Sequence, residues 1–423
     1  MEKNEIEEII DSYKEEMIEK LAEFVSINSV YDENSVDKSN PFGRGVSKAL
    51  SYFESLAKGD GFEVINYDNY CVEVSYGEGK IIDVLAHCDV VDVSPGWEFD
   101  PFSKLYDNKY VYGRGTQDDK GPLLAAYYAL KAIKDKGIIP NKKIRFIVGG
   151  NEESGSACLD YYYNTLKKEY PFMGFTPDAE FPLINGEKGI TRMEVTSDLF
   201  VDSIKNIFGG RALNIVMDEV VIDIDGNIKK YVGKAAHASK PELGKNAFIE
   251  LLDDLKDTYP IFTKLYEDFK DYNGKGLNID CYDDKLKELT MNIGKVEYKD
   301  NKLKIVLDIR YPLATNANKI KEAIVNKGYE CNILMDEEPI YVSEDSKLVT
   351  TLLNSYDYFT NKKSKAYTIG GGTYAKSSKN VVAFGMMFED DLDLMHQNNE
   401  RIRIDHYLLG AKIYLHALLE LIK

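Results

Sequence analysis

Two nearly unbroken apolar runs, IIDVLAH at residues 81–87 and KIRFIV at residues 143–148, limit what this chain can become. A strand with no polar alternation has no face to give to water, so each run reads as a central strand covered on both sides. The neighbouring sequence supplies the cover. FEVINY and CVEVSY read as further strands, while KGPLLAAYYALKAIKDKG and ACLDYYYNTLKK carry apolar residues at helical spacing. Residues 62–188 are therefore expected to form an α/β sheet flanked by helices. Both apolar runs end in polar loops, and ligand sites in such sheets lie beyond the carboxyl ends of the strands.

With 423 residues the chain is long enough for two or three domains. From about residue 190 to 340 the pattern changes to ITRMEVTS, IKKYVG, LTMNIGKVEY and LKIVLDIRY, with helices at NAFIELLDDLKDTY and ANKIKEAIVNKG. We read 189–342 as an α+β domain inserted between the two halves of an α/β domain, 1–188 and 343–423. Within it, KVEYKDNKLKIVLDIRY is expected to be a hairpin turning at Asp300 and Asn301. The N-terminal stretch, with Ile6, Ile9, Ile10, Tyr13, Met17 and Leu21 among Glu and Lys, reads as one amphipathic helix and not a signal peptide. His406 and His416 fall in a closing helix.

Lysine and arginine number 53 against 71 aspartates and glutamates, a net charge of −18 at pH 7. That balance disfavours nucleic acid and anionic membrane as partners and favours small-molecule substrates. No run approaches the roughly 18 apolar residues of a membrane span. Cys71, Cys88, Cys158, Cys281 and Cys331 are scattered without a CxxC pair, which suits a reducing cytoplasm. The expected location is cytoplasmic.

Candidate chemistry collects at predicted strand ends. His87 closes the first apolar run, and strand alternation puts Asp89 on its face and Cys88 opposite, so Asp89 can accept the second ring N–H. Alone, His87 reads as a histidine satisfied in the core. Asp118 and Asp119 lie in the Gly-flanked turn GRGTQDDKGP before a helix, where a plain N-cap would account for them. Glu152 and Glu153 follow the second apolar run, Asp178 sits between prolines in PDAEFP, and His396 lies in the polar loop LMHQNNERI. Together, two imidazoles and several carboxylates without a thiolate suit a pair of zinc ions, with manganese or cobalt as alternatives.

HCDVV, GRGTQDDKGP, GGNEESGS, PDAEFPLINGEKG, GKAAHASKPELGKNA, LDIRYP and GGGTYA occur in the order and rough spacing of a known family. The chain resembles the di-zinc aminoacylase, glutamate carboxypeptidase and acetylornithine deacetylase/succinyl-diaminopimelate desuccinylase family, most of all its peptidase V-type, carnosinase-like dipeptidases. The resemblance implies a zinc-peptidase catalytic domain with a mixed central sheet and an inserted lid. It implies that His87, Asp118 and Asp178 hold one zinc, and that Asp118 bridges to a second held by Glu153 and His396. Glu152 becomes the general base acting on the metal-bridging water, and Asp89 supports it from behind. A cis peptide is expected between Asp118 and Asp119.

In the inserted domain, the resemblance makes His237 the donor to the tetrahedral oxyanion. Arg310 and the loop with Gly371, Gly372 and Thr373 would bind a substrate carboxylate, and Asn214 is a further substrate contact. It implies a dipeptidase acting on small peptides with a free C-terminal carboxylate. The same metal ligands fit an N-acyl amino acid amidohydrolase, and a catalytically silent peptide-binding homologue is the rival from another class. Only about twenty residues separate Asn214 from GKAAHASKP, where this branch carries a longer insertion, so monomer and homodimer both stay open.

Overall fold

The N-terminal stretch forms two helices where one was expected, α1 (Lys3–Ser12) and α2 (Lys14–Val25), broken at Tyr13. The Tyr13 hydroxyl donates to Asp135 Oδ2 at 2.7 Å, so the break is held by a tertiary contact that periodicity does not reveal. The computed structural model describes all 423 residues, in two units. Unit 1 comprises Met1–Asn185, Val342–Tyr367 and Thr373–Lys423, and unit 2 comprises Gly186–Tyr341 with Thr368–Gly372.

In unit 1, helix α3 (Arg44–Gly59) precedes strands β1 (Glu63–Tyr67), β2 (Cys71–Tyr76) and β3 (Ile81–His87). Helix α4 (Lys120–Asp135) and strands β4 (Lys143–Gly149) and β5 (Met173–Thr176) follow. The sheet order is β1-β2-β4-β3-β5. The β1/β2 and β2/β4 pairs are antiparallel, while β4/β3 and β3/β5 are parallel. The two charged residues inside the apolar runs meet across the sheet, Arg145 donating from Nε and Nη2 to the Asp83 carboxylate at 2.7 Å each. A buried pair with both oxygens matched explains how apolar strands tolerate them.

ACLDYYYNTLKK is only partly an α-helix: Ala157–Asp160 is α-helical and Tyr161–Thr165 a wider π turn. Tyr162 and Tyr163 donate to Glu73 and Asp83, both at 2.6 Å. Neighbours on an α-helix diverge by about 100°, so turning both hydroxyls toward buried carboxylates favours the wider turn. Lys120, also fully buried, donates to the carbonyls of Phe24 and Ile27 at 3.2 and 2.8 Å and ties the start of α4 to the end of α2. Burial lowers its ammonium pKa to about 8.

Unit 2 is built on strands β6 (Gly189–Asp198), β7 (Ile204–Gly209), β8 (Glu219–Ile224), β9 (Asn227–Val232), β10 (Thr290–Lys299), β11 (Lys302–Tyr311) and β12 (Glu330–Glu337). Its order is β9-β8-β7-β10-β11-β6-β12, antiparallel throughout. Asp300 and Asn301, with φ of 53° and 59°, turn the β10–β11 hairpin, the left-handed pair a two-residue turn of this hand requires. Helices α5 (Ala247–Leu255), α6 (Pro260–Phe269) and α7 (Ala317–Asn326) bring Phe248, Leu251, Phe262 and Ile320 into one core with Met193 and Leu307 of the sheet.

The chain re-enters unit 1 through helix α8 (Lys347–Thr360), strand β13 (Val381–Ala383) and helix α9 (Ile404–Leu421). Strand β13 pairs parallel to β5, so β4, β3, β5 and β13 run side by side in one direction. Helix α9 packs on α4 and α8. It carries His406 and His416, whose Nδ1 atoms are engaged by Asp391 at 2.8 Å and Ser355 at 2.9 Å.

Candidate metal centre

Strands β3, β4 and β5 deliver side chains to one edge of the sheet. His87 ends β3, in register with Gly149 at the end of β4, while Glu152 and Glu153 follow β4 and Asp178 follows β5. Asp118 comes from the turn before α4 and His396 from the irregular loop before α9. Asp118 lies between the two imidazoles: its Oδ1 is 3.0 Å from His87 Nε2 and its Oδ2 is 2.9 Å from His396 Nε2. Asp178 Oδ2 is 3.6 Å from His87 Nε2, and Glu153 Oε2 is 3.2 Å from His396 Nε2. Glu152 offers a carboxylate oxygen within 4.8 Å of His87 and Asp178, and its hydrogen bonds to the protein are made by its backbone, to Asp89 and from Gly155.

Asp119 stands at the N-cap of α4, but its side chain makes no capping bond there. Its Oδ2 accepts the backbone N–H of His87 at 3.0 Å, and its peptide with Asp118 is cis. Asp89 also differs from the simplest reading of the strand. The nearer partner of His87 Nδ1 is the backbone carbonyl of Asp89 at 3.1 Å, with the carboxylate at 3.4 Å. That carboxylate accepts the backbone N–H groups of Glu152 and Glu153 at 3.0 and 3.1 Å, fixing the turn that presents both acids.

The electrostatics are those of a site short of positive charge. Burial, with Asp118 beside it, raises the Glu153 carboxyl to about 7, and burial raises Glu152, Asp119 and Asp178 as well. At Asp118 burial is outweighed by the His396 hydrogen bond and the adjoining His87 imidazole, which hold its carboxyl below the usual range. Contacts with Asp118 and Glu153 raise His396 to about 11. His87 Nε2 is buried without a hydrogen-bond partner although carboxylate oxygens face it. An imidazole nitrogen aimed into acceptor oxygens, with its other nitrogen already engaged, fits a divalent cation between them.

Unit 2 gathers the remaining candidates. His237 is exposed, with Nδ1 on Ser239 Oγ at 2.7 Å, and the neighbouring Ala238 N–H donates to the Asn214 carbonyl at 2.9 Å. Desolvation and the Arg310 charge hold the His237 imidazole below its ordinary pKa. Arg310 is buried and already gripped: Nε and Nη2 donate to Asp308 at 2.5 and 3.2 Å, and Nη1 donates to the Gly370 carbonyl at 3.3 Å. Gly371 and Gly372 belong to the same short segment of unit 2, whereas Thr373 begins the return to unit 1 and accepts the Ala375 N–H.

Sequence reasoning missed Asp308, although it stands two residues before Arg310 on one strand and so shares its face. It also missed Glu400. That carboxylate is fully buried and accepts from Arg114 Nη1 at 2.6 Å and from the backbone of Gly115 and Gln117 at 3.1 and 2.8 Å. Its only sequence signal is its position four residues after His396.

The sequence profile of Peptidase family M20/M25/M40 matches residues 84–420. A Bacillus subtilis (strain 168) protein named "Putative dipeptidase YtjP" is 36% identical over 459 aligned positions, covering 97% of this chain and 98% of the relative. A Staphylococcus epidermidis relative with a dipeptidase name of the same kind is 33% identical over 458 positions, covering 96% and 97%. Both alignments exceed 423 positions, so these relatives carry residues this chain lacks. Among solved structures, human carnosine dipeptidase 1 has a TM-score of 0.64 at 15% identity, covering 99% of this chain and 98% of that one. The M20 family metallo-carboxypeptidase Sso-CP2 of Sulfolobus solfataricus has 0.62 at 20% identity, covering 96% and 99%. The structures share the fold, and the profile and sequence relatives extend along nearly the whole chain: it belongs to Peptidase family M20/M25/M40 and is a metallopeptidase.

Proposed function

We propose that the chain is a dipeptidase whose metal centre takes two divalent ions, zinc with manganese or cobalt as alternatives. The observation that carries this reading is the division of Asp118, one oxygen toward His87 and the other toward His396. His87, Asp118 and Asp178 would hold one ion, and Asp118, Glu153 and His396 the other. When bound, the ions polarise the scissile carbonyl and lower the pKa of water. Glu152 takes the proton of the attacking water and returns it to the leaving amine. The Asp89 carboxylate keeps Glu152 in place through the backbone N–H it accepts. Unit 2 is the substrate clamp. His237 donates to the oxyanion, and Arg310 takes the C-terminal carboxylate with the Gly371–Thr373 backbone and Asn214 nearby on the substrate.

Stripping the protein with a chelator is expected to abolish activity, and metal analysis of the reloaded protein to give two ions per chain. At most one ion under saturating zinc or manganese would rule out the shared role of Asp118. A panel of dipeptides beside N-acetyl and N-succinyl amino acids tests the substrate class. Turnover confined to the acyl amino acids makes the chain an amidohydrolase, and no turnover of either overturns the dipeptidase reading.

The anchor has its own test. Asp308 takes Nε and one N–H of Nη2 of Arg310 and the Gly370 carbonyl takes one N–H of Nη1, which leaves one N–H on each terminal nitrogen to meet a carboxylate. A lysine replaces that fork with a point charge. Arg310→Lys should raise KM roughly ten- to a hundredfold, the loss of one charge-assisted hydrogen bond of about 1.5–3 kcal/mol. Dipeptide amides should be poor substrates of the unaltered protein. Equal rates on a dipeptide and its amide would remove the anchor.

A further inference from the structure

The loop that carries His396 has neither helix nor strand from Phe388 to Glu400, and His396 itself sits in the left-handed region at φ 60°. A non-glycine residue rarely settles there unless its surroundings hold it. His87 and Asp178, by contrast, are set by the ends of hydrogen-bonded strands. Something other than secondary structure has to keep His396 facing Asp118 and Glu153.

Two side chains do so. Gln117, next to Asp118, spends its whole amide on the opposite loop. Its Nε2 donates to the carbonyls of Leu392 and Arg401 at 3.0 and 3.1 Å, and its Oε1 accepts the Leu394 N–H at 2.9 Å. Glu400 reaches back the other way. One oxygen gathers the N–H groups of Gly115 and Gln117, at 3.1 and 2.8 Å, and the other takes Arg114 at 2.6 Å. The three bonds of the Gln117 amide enter the chain on both sides of His396, at Leu392 and Leu394 before it and at Arg401 after it, so the histidine is bracketed. The Glu400 carboxylate pins the far end of the His396 loop to the backbone of Gly115 and Gln117.

We propose that Gln117 and Glu400 are positioning residues that set occupancy of one metal site, that of Asp118, Glu153 and His396, and leave the His87 and Asp178 site to the sheet. The inference rests on the two-ion reading above. Neither residue is among the ligands, and both act through the loops they join. Partners of this kind typically change metal affinity by about 10–100-fold when replaced.

The test is zinc titration of the chelator-stripped, full-length protein against a competing chelator, with Gln117→Ala as the main variant and Glu400→Gln as the second. Gln117→Ala should weaken one of two binding steps by about 10–100-fold and leave the other unchanged. In a His396→Ala background, which already lacks that site, Gln117→Ala should have no further effect on the remaining step. A role in general stability would instead lower the melting temperature of the metal-free protein and weaken both steps together. Equal weakening of both steps, or two unchanged steps, overturns the inference while the two-ion reading stands. Unaltered protein that takes up fewer than two ions overturns that reading, and this inference with it. Should Glu400→Gln not fold, the result with Gln117→Ala decides alone.

Discussion

Glu152→Gln is expected to lower kcat by about 10²–10⁴-fold while the protein keeps its metal and its melting temperature. The amide is nearly the same size as the carboxylate but cannot accept a proton. Glu152 suits the base because its carboxylate makes no hydrogen bond to the protein, whereas Glu153 is 3.2 Å from His396. Burial, with Asp178 and Glu153 nearby, pushes the Glu152 acid well above its ordinary range, the direction a base working near neutral pH needs. Glu153→Gln should instead weaken the metal site and lose activity that excess metal partly restores. Measuring kcat beside bound metal in both variants separates the roles, and the opposite pattern would exchange them.

The difference between those neighbours shows where the sequence was legible. An apolar run ending in His, or in Gly-Gly-Asn-Glu-Glu, announces a buried strand with polar residues at its mouth, and local pattern is enough to read it. The Asp300–Asn301 turn was legible for the same reason, since both residue types tolerate left-handed backbone. Contacts made at long range were not. Glu400 is one acid in the polar run NNER, and its partner Arg114 lies 286 residues earlier. Nothing in either segment marks them as a buried pair. The assignment of Thr368–Gly372 to unit 2, apart from the residues on both sides, likewise depends on tertiary contacts such as Arg310 with Gly370. The break at Tyr13 and the π turn at Tyr161–Thr165 follow from where single tyrosine hydroxyls find carboxylates, which hydrophobic period cannot encode.

His237→Ala should cut kcat by about 10²–10³-fold with both metals retained, the loss of one oxyanion donor worth roughly 2.7–4 kcal/mol. Its imidazole is suited to that role as a neutral donor: desolvation and the Arg310 charge lower its pKa, and Nδ1 is engaged by the Ser239 hydroxyl and backbone N–H, which leaves Nε2 free of them. A neutral imidazole with Nδ1 accepting from the Ser239 hydroxyl carries its proton on Nε2. Ser239→Ala should therefore cost less than His237→Ala, since it loosens the ring without removing the donor. His237 belongs to unit 2 and every proposed metal ligand to unit 1, so the donor must be brought to the reacting carbonyl by its own chain or by a second copy. Mixing His237→Ala with Glu152→Gln protein separates the two. Each alone is expected to keep only its reduced rate, and a hybrid in which the histidine of one chain serves the base of the other rises well above both. Recovery in verified hybrids means the active site is completed across a dimer, and no recovery means each chain supplies its own histidine. Full activity of His237→Ala alone would take the residue out of the mechanism and leave the oxyanion to the metals.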